Sequence, residues 1–469
     1  MTGSEKNQSP STSGASDLSA GGAKKPEKSR KWFFLLLAVS IIINLTFILH
    51  PFVEYLIHFE KFRDSETVLS EIVGSPPAVG AWGQSRTPDS GAHLSERQAE
   101  EMRKLKSIGY LAGVNTAQEK SGVIRQVEGK TFQGLNLFTS GHGPEAILMD
   151  MEGKILHKWA KSYLEVWPER SEEHQAKKDF NSQFWRRCRL FENGDLLVIF
   201  EGLGLFKLDK DSNLLWKYDA YAHHDLDIDP QGNIFVLIRE GRLLPEYNAE
   251  QPILEDFITV LDPGGNEIKR TSLLKCLANS PYWSAVDKEN ISGDVFHANT
   301  LQWLDGKLIG QSEIFQKGNV LVSLCNRDFI GIVDLEKETF VWGMSGLFIK
   351  QHQPELAPDG SIMVFDNRGL GRRSRVMRFT PFQQRILWVY DGKADGDFYS
   401  RKLGSFQQLP NGNVLITESG FGRVIEVAAS KQIVWEYISP YRAGQDNEWV
   451  AQIPEMLRID PGYTKNWLK

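Results

Sequence analysis

Cysteine is scarce. Cys188, Cys276 and Cys325 are the only three in 469 residues, and none stands in a CxxC or other metal-ligand spacing. An odd count leaves at least one thiol unpaired, and so few residues do not define a redox compartment. An excess of positive charge is also missing. With 54 Lys and Arg against 60 Asp and Glu, the formal charge is -6, which removes the electrostatic footprint expected of a nucleic-acid binder. Long apolar runs are missing as well, with a single exception near the N-terminus. Aromatic residues, in contrast, are plentiful: 13 Trp and 26 Phe within a 41% hydrophobic composition describe a chain able to bury a large core.

The exceptional run is "WFFLLLAVSIIINLTFILHPFV", Trp32 to Val53, which contains no Asp, Glu, Lys or Arg. About 20 such residues span a bilayer's hydrocarbon layer. Lys24, Lys25, Lys28, Arg30 and Lys31 precede it, whereas Glu54, Glu60, Asp64 and Glu66 follow with only Lys61 and Arg63 among them. The positive-inside rule then predicts a cytoplasmic tail over residues 1–31, a single-pass signal anchor over 32–58, and a periplasmic or extracellular remainder. A cleaved signal peptide needs a small-residue site after the apolar run, and "HPFVEYLIHFEKF" offers none. Residues 59–124 read as a linker or stalk: a Pro, Gly and Ser-rich stretch, then a short amphipathic helix from Ser95 to Gly109.

Beyond residue 125 the chain becomes repetitive. One unit is a hairpin whose second strand ends in Trp: "AILMDMEGKILHKW", "LFKLDKDSNLLWKY", "GIVDLEKETFVWGM", "VMRFTPFQQRILWVY" and "VIEVAASKQIVWEY", with "ITVLDPGGNEIKRT" as a sixth copy lacking the Trp. Ahead of most lies a second hairpin with a Pro-Asp-Gly-like turn, as in "DLDIDPQGNIFVL" and "ELAPDGSIMVF". Two hairpins make a four-stranded blade, and a four-stranded sheet buries both faces only when neighbours stack around a ring. The pattern therefore predicts an all-β, six-bladed β-propeller over residues 125–445, with the Trp residues between blades. The first blade lacks an innermost strand. Either "AQIPEMLRID" (451–460), within the C-terminal segment 446–469, or residues 121–130 is available to supply it.

In a propeller the innermost strands all start at one mouth of the central channel. Counting back eight residues from each turn glycine reaches His224, His352, Arg186 and Gly404, and His297 stands nine before Gly306. Three imidazoles thus converge on one cavity. Their pKa near neutrality suits a metal or acid-base and nucleophilic chemistry. Asn299 and Arg327 are nearer than any carboxylate in the sequence pattern, and an arginine repels cations while binding oxyanions, so the pattern favours an anion site and no metal.

These residues resemble the bacterial-type arylsulfate sulfotransferases. The resemblance runs over roughly residues 130–440 and is carried by "DVFHANTLQWL", "VSLCNRDFIGIVDLEKETFVWGMSG", "QHQPELAPDGSIMVFDNRG" and "GSFQQLPNGNVLITESGFGRVIEV". It implies a six-bladed propeller that moves a sulfuryl group from a phenolic sulfate ester to a phenol through a sulfated histidine, without phosphoadenosine phosphosulfate or another cofactor. Matched by motif, His352 is the nucleophile, His297 and His224 are the other catalytic histidines, and Asn299 and Arg327 bind the sulfuryl oxygens. His223 is the substitute for His224. The partners implied are a small aryl sulfate and a phenol, with the membrane reached through the N-terminal helix. A non-catalytic propeller that binds a protein or polysaccharide is the alternative, but it has no need of three co-located histidines. The Ser-x-Asp-x-Gly-x-x-Trp boxes of sialidases and the Trp and Gly repeat of quinone-dependent propellers are both missing.

Overall fold

The computed structural model describes residues 115–171, 180–285, 291–369, 373–393, 398–443 and 447–468. All of them belong to the compact unit Val79–Lys469. The tail, the apolar run Trp32–Val53 and the stalk helix all lie outside the described residues. Among the described residues no helix is long and apolar enough to cross a membrane.

Six antiparallel four-stranded meanders follow one another in the described residues. Blade 2 runs through Arg187–Leu190, Leu196–Phe200, Gly204–Leu208 and Leu214–Tyr218. Blade 3 starts at Ala222–Ile228, blade 4 at Ala298–Trp303, blade 5 at His352–Leu356 and blade 6 at Ser405–Gln408. The second strands, such as Leu196–Phe200, Val320–Leu324 and Val414–Glu418, are buried along their whole length. That is the pattern of a sheet covered on both faces, so these strands read as continuous apolar runs. Outermost strands such as Ile386–Tyr390 keep exposed positions.

Both segments available for blade 1 are used, at different places. Met456–Ile459 pairs with Leu135–Thr139 and becomes the innermost strand of blade 1, so the two ends of the described chain close one sheet. Gly122–Gln126 instead pairs with Ile433–Ile438 as a fifth, outer strand of blade 6. Arg458 locks the closure. Its Nη1 reaches Glu426 Oε2 at 3.0 Å and its Nε reaches Asn136 Oδ1 at 2.8 Å, in a fully buried ion pair.

Repeated Trp residues clip blades 1, 2, 5 and 6 to the blade that follows. Trp159 Nε1 donates to the Gly194 carbonyl, Trp388 Nε1 to Ala429 and Trp435 Nε1 to Met151, at 3.1, 3.4 and 3.1 Å. Each acceptor belongs to a hairpin turn of the following blade. Trp216 packs instead on Gly265, where a Cβ would lie 2.6 Å from the indole. The turns themselves are held by aspartates: Asp229 Oδ1 accepts from the N–H groups of Gln231 and Asn233, both at 2.9 Å. An Asx turn of this kind supplies the reversal and leaves the left-handed position to Gly232, at φ 84°.

Innermost strands have an edge that no strand covers, and side chains from the preceding blade satisfy it. Asp225 and Asp227 of blade 3 accept from Leu301 and Trp303 N–H at 3.1 and 2.8 Å. Thr300 and Gln302 of blade 4 accept from Gln353 and Leu356 N–H at 2.9 and 2.7 Å. Without these bonds a row of buried donors would be orphaned, each costing about 1–3 kcal/mol. Residues 306–319 form a long connection between Ala298–Trp303 and Val320–Leu324, with a 3-10 turn at Glu313–Phe315.

Candidate active site

Three innermost strands break register where they leave the mouth. The pairing slips between Ala222 and Leu226 in blade 3, between Ala298 and Thr300 in blade 4, and between His352 and Glu355 in blade 5. His224 and Gln353, within two of these breaks, and His297, just before the third, take positive φ of 56°, 50° and 52°. Such conformations are costly for residues other than glycine and gather where side chains must be re-aimed. The rings of His224 and His297 meet edge to face with centroids 4.9 Å apart.

His352 is the most completely determined of the three. Its Nδ1 lies 2.8 Å from Asn367 Oδ1 and 3.2 Å from the Lys350 carbonyl. The amide of Asn367 has a fixed orientation, because its Nδ2 donates to the Ser400 and Leu403 carbonyls at 2.7 and 2.5 Å. Two acceptors at Nδ1 require the proton there, which leaves the lone pair on Nε2. Burial, helped by the charges of Arg186 and His297 and opposed by the Asn367 bond, holds the ring down at a pKa of about 3. At neutral pH His352 is therefore an uncharged imidazole with its nucleophilic nitrogen unprotonated.

His297 is built differently. Its Nδ1 faces Asp294 Oδ2 at 2.6 Å, an oriented carboxylate-imidazole pair. Burial opposes ionisation of Asp294, but the His297 charge outweighs it and holds the carboxyl well below its usual range. Blade 3 supplies the third group. His224 N–H donates to Glu201 Oε2 at 2.9 Å, its Nδ1 lies 3.2 Å from Glu201 Oε1, and His223 Nδ1 is 2.9 Å from His224 Nδ1. Burial, and after it the positive neighbours His297 and Arg186, keep His224 neutral. Burial and Arg239 hold His223 at about 3. Asp256, 3.2 Å from His223 Nε2, is pushed up to about 7 by burial and the Asp294 charge.

Asn299 and Arg327 occupy the surrounding frame. Asn299 Nδ2 donates to the Gln351 carbonyl at 2.9 Å, pinning the residue before His352 to blade 4. Arg327 ends the 3-10 turn Cys325–Arg327, and the turn is tied to blade 4's entry strand because Cys325 and Asn326 N–H donate to the His297 and Phe296 carbonyls at 3.2 and 2.9 Å. Among the described residues no hydrogen bond or ion pair joins its guanidinium to the histidines, and its Nε is buried without an acceptor. Arg375, at the start of the third strand of blade 5, is committed to Asp366 and the Leu347 carbonyl, both at 2.8 Å.

Glu201, His223 and His224 offer three ligand atoms within 4.8 Å of one another, the geometry a metal ion would need. The same carboxylate already faces two guanidiniums, Arg186 Nε at 3.6 Å and Arg239 Nη2 at 3.4 Å. Two fixed cations beside the ligand set disfavour a third and favour an anion. Cys188, Cys276 and Cys325 are buried free thiols, each raised by burial to about 12 and so unreactive as nucleophiles.

Sequence reasoning left Asp294, Asn367, Glu201 and Asp256 without a role. The first two stand inside motifs it used, "DVFH" and "FDN", but nothing in a linear string says that Asn367 faces His352. Below the histidines, Arg187 Nη2 reaches Gln353 Oε1 at 2.9 Å and Glu455 Oε1 at 3.4 Å, and Arg189 Nη1 reaches Glu455 Oε2 at 2.5 Å. With Asp225, also paired to Arg187, this network joins blades 1, 2, 3 and 5 beneath the site. It also holds the left-handed Gln353 beside the nucleophile.

The family model for arylsulfotransferase (ASST) matches residues 187–440, the span from blade 2 to the end of blade 6. No curated protein matches the chain. Among solved structures, a protein of unknown function from Bacteroides caccae is 12% identical, covering 70% of this chain and 99% of its own at a TM-score of 0.47. A streptogramin B lyase is 13% identical over 74% of this chain and 97% of its own, with a TM-score of 0.40. Virginiamycin B lyase from Staphylococcus aureus is 12% identical over 55% and 70%, with a TM-score of 0.33. The propeller architecture rests on the strand pairing itself.

Proposed function

The chain belongs to the arylsulfotransferase family, and from that premise we propose that it transfers a sulfuryl group between phenols by a two-step mechanism through His352. The carrying observation is the hydrogen-bonded fixation of the His352 tautomer, with Nδ1 occupied and Nε2 left as the nucleophile. In the first step Nε2 attacks sulfur, a nitrogen-sulfur bond forms, the ester sulfur-oxygen bond breaks, and the departing phenolate takes a proton from His297. In the second step His297 removes the acceptor phenol's proton, the phenolate oxygen attacks the same sulfur, and the nitrogen-sulfur bond breaks to restore neutral His352. Asp294 orients His297 and stabilises the charged form that donates in the first step and is regenerated in the second.

Charge spreads over the equatorial oxygens as sulfur is displaced, so fixed donors at the mouth act more strongly on the transition state than on the ester. No nucleotide sulfate donor enters this scheme. The reading places the propeller outside the cell, held by the apolar run Trp32–Val53. The test uses 4-nitrophenyl sulfate with and without an added phenol, for the native chain and His352→Ala. Acceptor-dependent release of 4-nitrophenol that disappears in the variant supports transfer. Release independent of acceptor makes the protein a hydrolase, and no release from the folded native chain with any phenol removes the reading.

A further inference from the structure

The sulfuryl group of the proposed reaction needs a cationic partner, and one guanidinium that shares Glu201 with His224 comes from blade 2 rather than from the blade 4 turn. Arg186 immediately precedes the innermost strand of blade 2, at the same repeat position as His224 and His352. Its backbone is held on both sides, N–H to the Ile199 carbonyl at 2.9 Å and carbonyl to Thr139 Oγ1 at 3.4 Å. The residue is only 4% exposed, yet Nη1 has no hydrogen-bond partner. Glu201 faces its other side at 3.6 Å, and that carboxylate is shared with Arg239, His224 Nδ1 and the His224 N–H.

Charge bookkeeping at the mouth leaves a surplus cation. Asp294 is engaged by His297, Glu201 serves two guanidiniums, and Asp256 is driven toward its neutral form. Burial, and after it the neighbouring Arg187, weigh against the Arg186 charge, opposed by Glu201, Glu455 and Asp225. A buried guanidinium N–H without an acceptor costs about 1–3 kcal/mol, and an oxyanion removes that cost.

We propose that Arg186 is an oxyanion-binding residue of this site, holding a sulfuryl oxygen of the ester between His224 and His352. The proposal rests on the sulfuryl-transfer reading for the identity of the anion but not for its binding.

The test measures thermal stabilisation of the native chain, Arg186→Lys, Arg186→Gln and Arg327→Gln by sodium sulfate against sodium chloride at matched ionic strength. Sulfate-specific stabilisation is expected for the native chain, with affinity lowered about 10- to 100-fold in Arg186→Gln, the size of a lost charge-assisted bond. Arg186→Lys keeps the charge without the planar fork and falls between them, whereas Arg327→Gln stays within a few-fold of native. Equal sulfate and chloride effects on the native chain overturn the proposal. So does native affinity in a folded Arg186→Lys, or loss confined to Arg327→Gln. Sulfate binding through Arg186 in a protein without transferase activity removes the sulfuryl-transfer reading alone. Unchanged KM and kcat in an active Arg186→Gln remove the present one alone.

Discussion

Replacing His352 by Asn isolates the contribution of one buried imidazole to acid stability. Asn retains a donor able to face Asn367 Oδ1, so the main loss is the titrating ring. In the folded chain His352 is held at about 3, against an ordinary value near 6.5 in the unfolded chain. A depressed folded pKa means that the unfolded state takes up the proton first. The stability contribution is whole above pH 6.5 and is lost progressively as pH falls toward 3. Linkage gives about 2 kcal/mol lost from this one group between pH 7 and pH 5. Whole-protein stability will not display it directly, because Asp256 and Glu355, both raised to about 7 with burial as the first cause, gain stability over the same interval. The difference between native and His352→Asn cancels those shared terms. Urea unfolding at pH 7, 6 and 5 should therefore show the native chain losing about 2 kcal/mol relative to the variant. Parallel curves for the two proteins would mean that His352 titrates normally in the folded state, and the argument that burial holds the ring neutral would fail.

Four further outcomes are expected. Asn367→Leu frees the His352 tautomer and should lower kcat about 10- to 100-fold with little change in KM, equivalent to a bond worth about 1.5–3 kcal/mol in the charged transition state; steady-state kinetics with 4-nitrophenyl sulfate check it. Asp294→Asn should slow esters of weakly acidic phenols far more than 4-nitrophenyl sulfate, since only the former need the His297 proton, and a uniform loss would reassign the dyad. Arg458→Met leaves Glu426 buried without its cation and should cost about 3–5 kcal/mol in urea unfolding. Gly265→Ala forces a side chain into φ 84° against Trp216 and should cost about 1–3 kcal/mol by the same measurement.

The repeat pattern carried most of the fold, because each blade is local: its turns, its alternation and its Trp all lie within a few dozen residues. The meeting of His224 with His297 was legible for the same reason, since one repeat position brings the strand starts of neighbouring blades together. Closure was not. Residues 121–130 and 451–460 are both adequate strands, and only the ring determines that Met456–Ile459 sits inside blade 1 while Gly122–Gln126 lies outside blade 6.

By itself, then, the sequence determined the number of blades, the hairpin turns and the repeat position that His224 and His352 share, all properties of short-range periodicity. Tertiary structure decided protonation and charge. Asn367 reaches His352 across a hairpin, Glu201 reaches His224 from the neighbouring blade, and Arg186 comes within range of both histidines only once the ring is closed. A pKa depends on burial and on the groups packed around a ring, and those neighbours come from blades that linear order keeps apart.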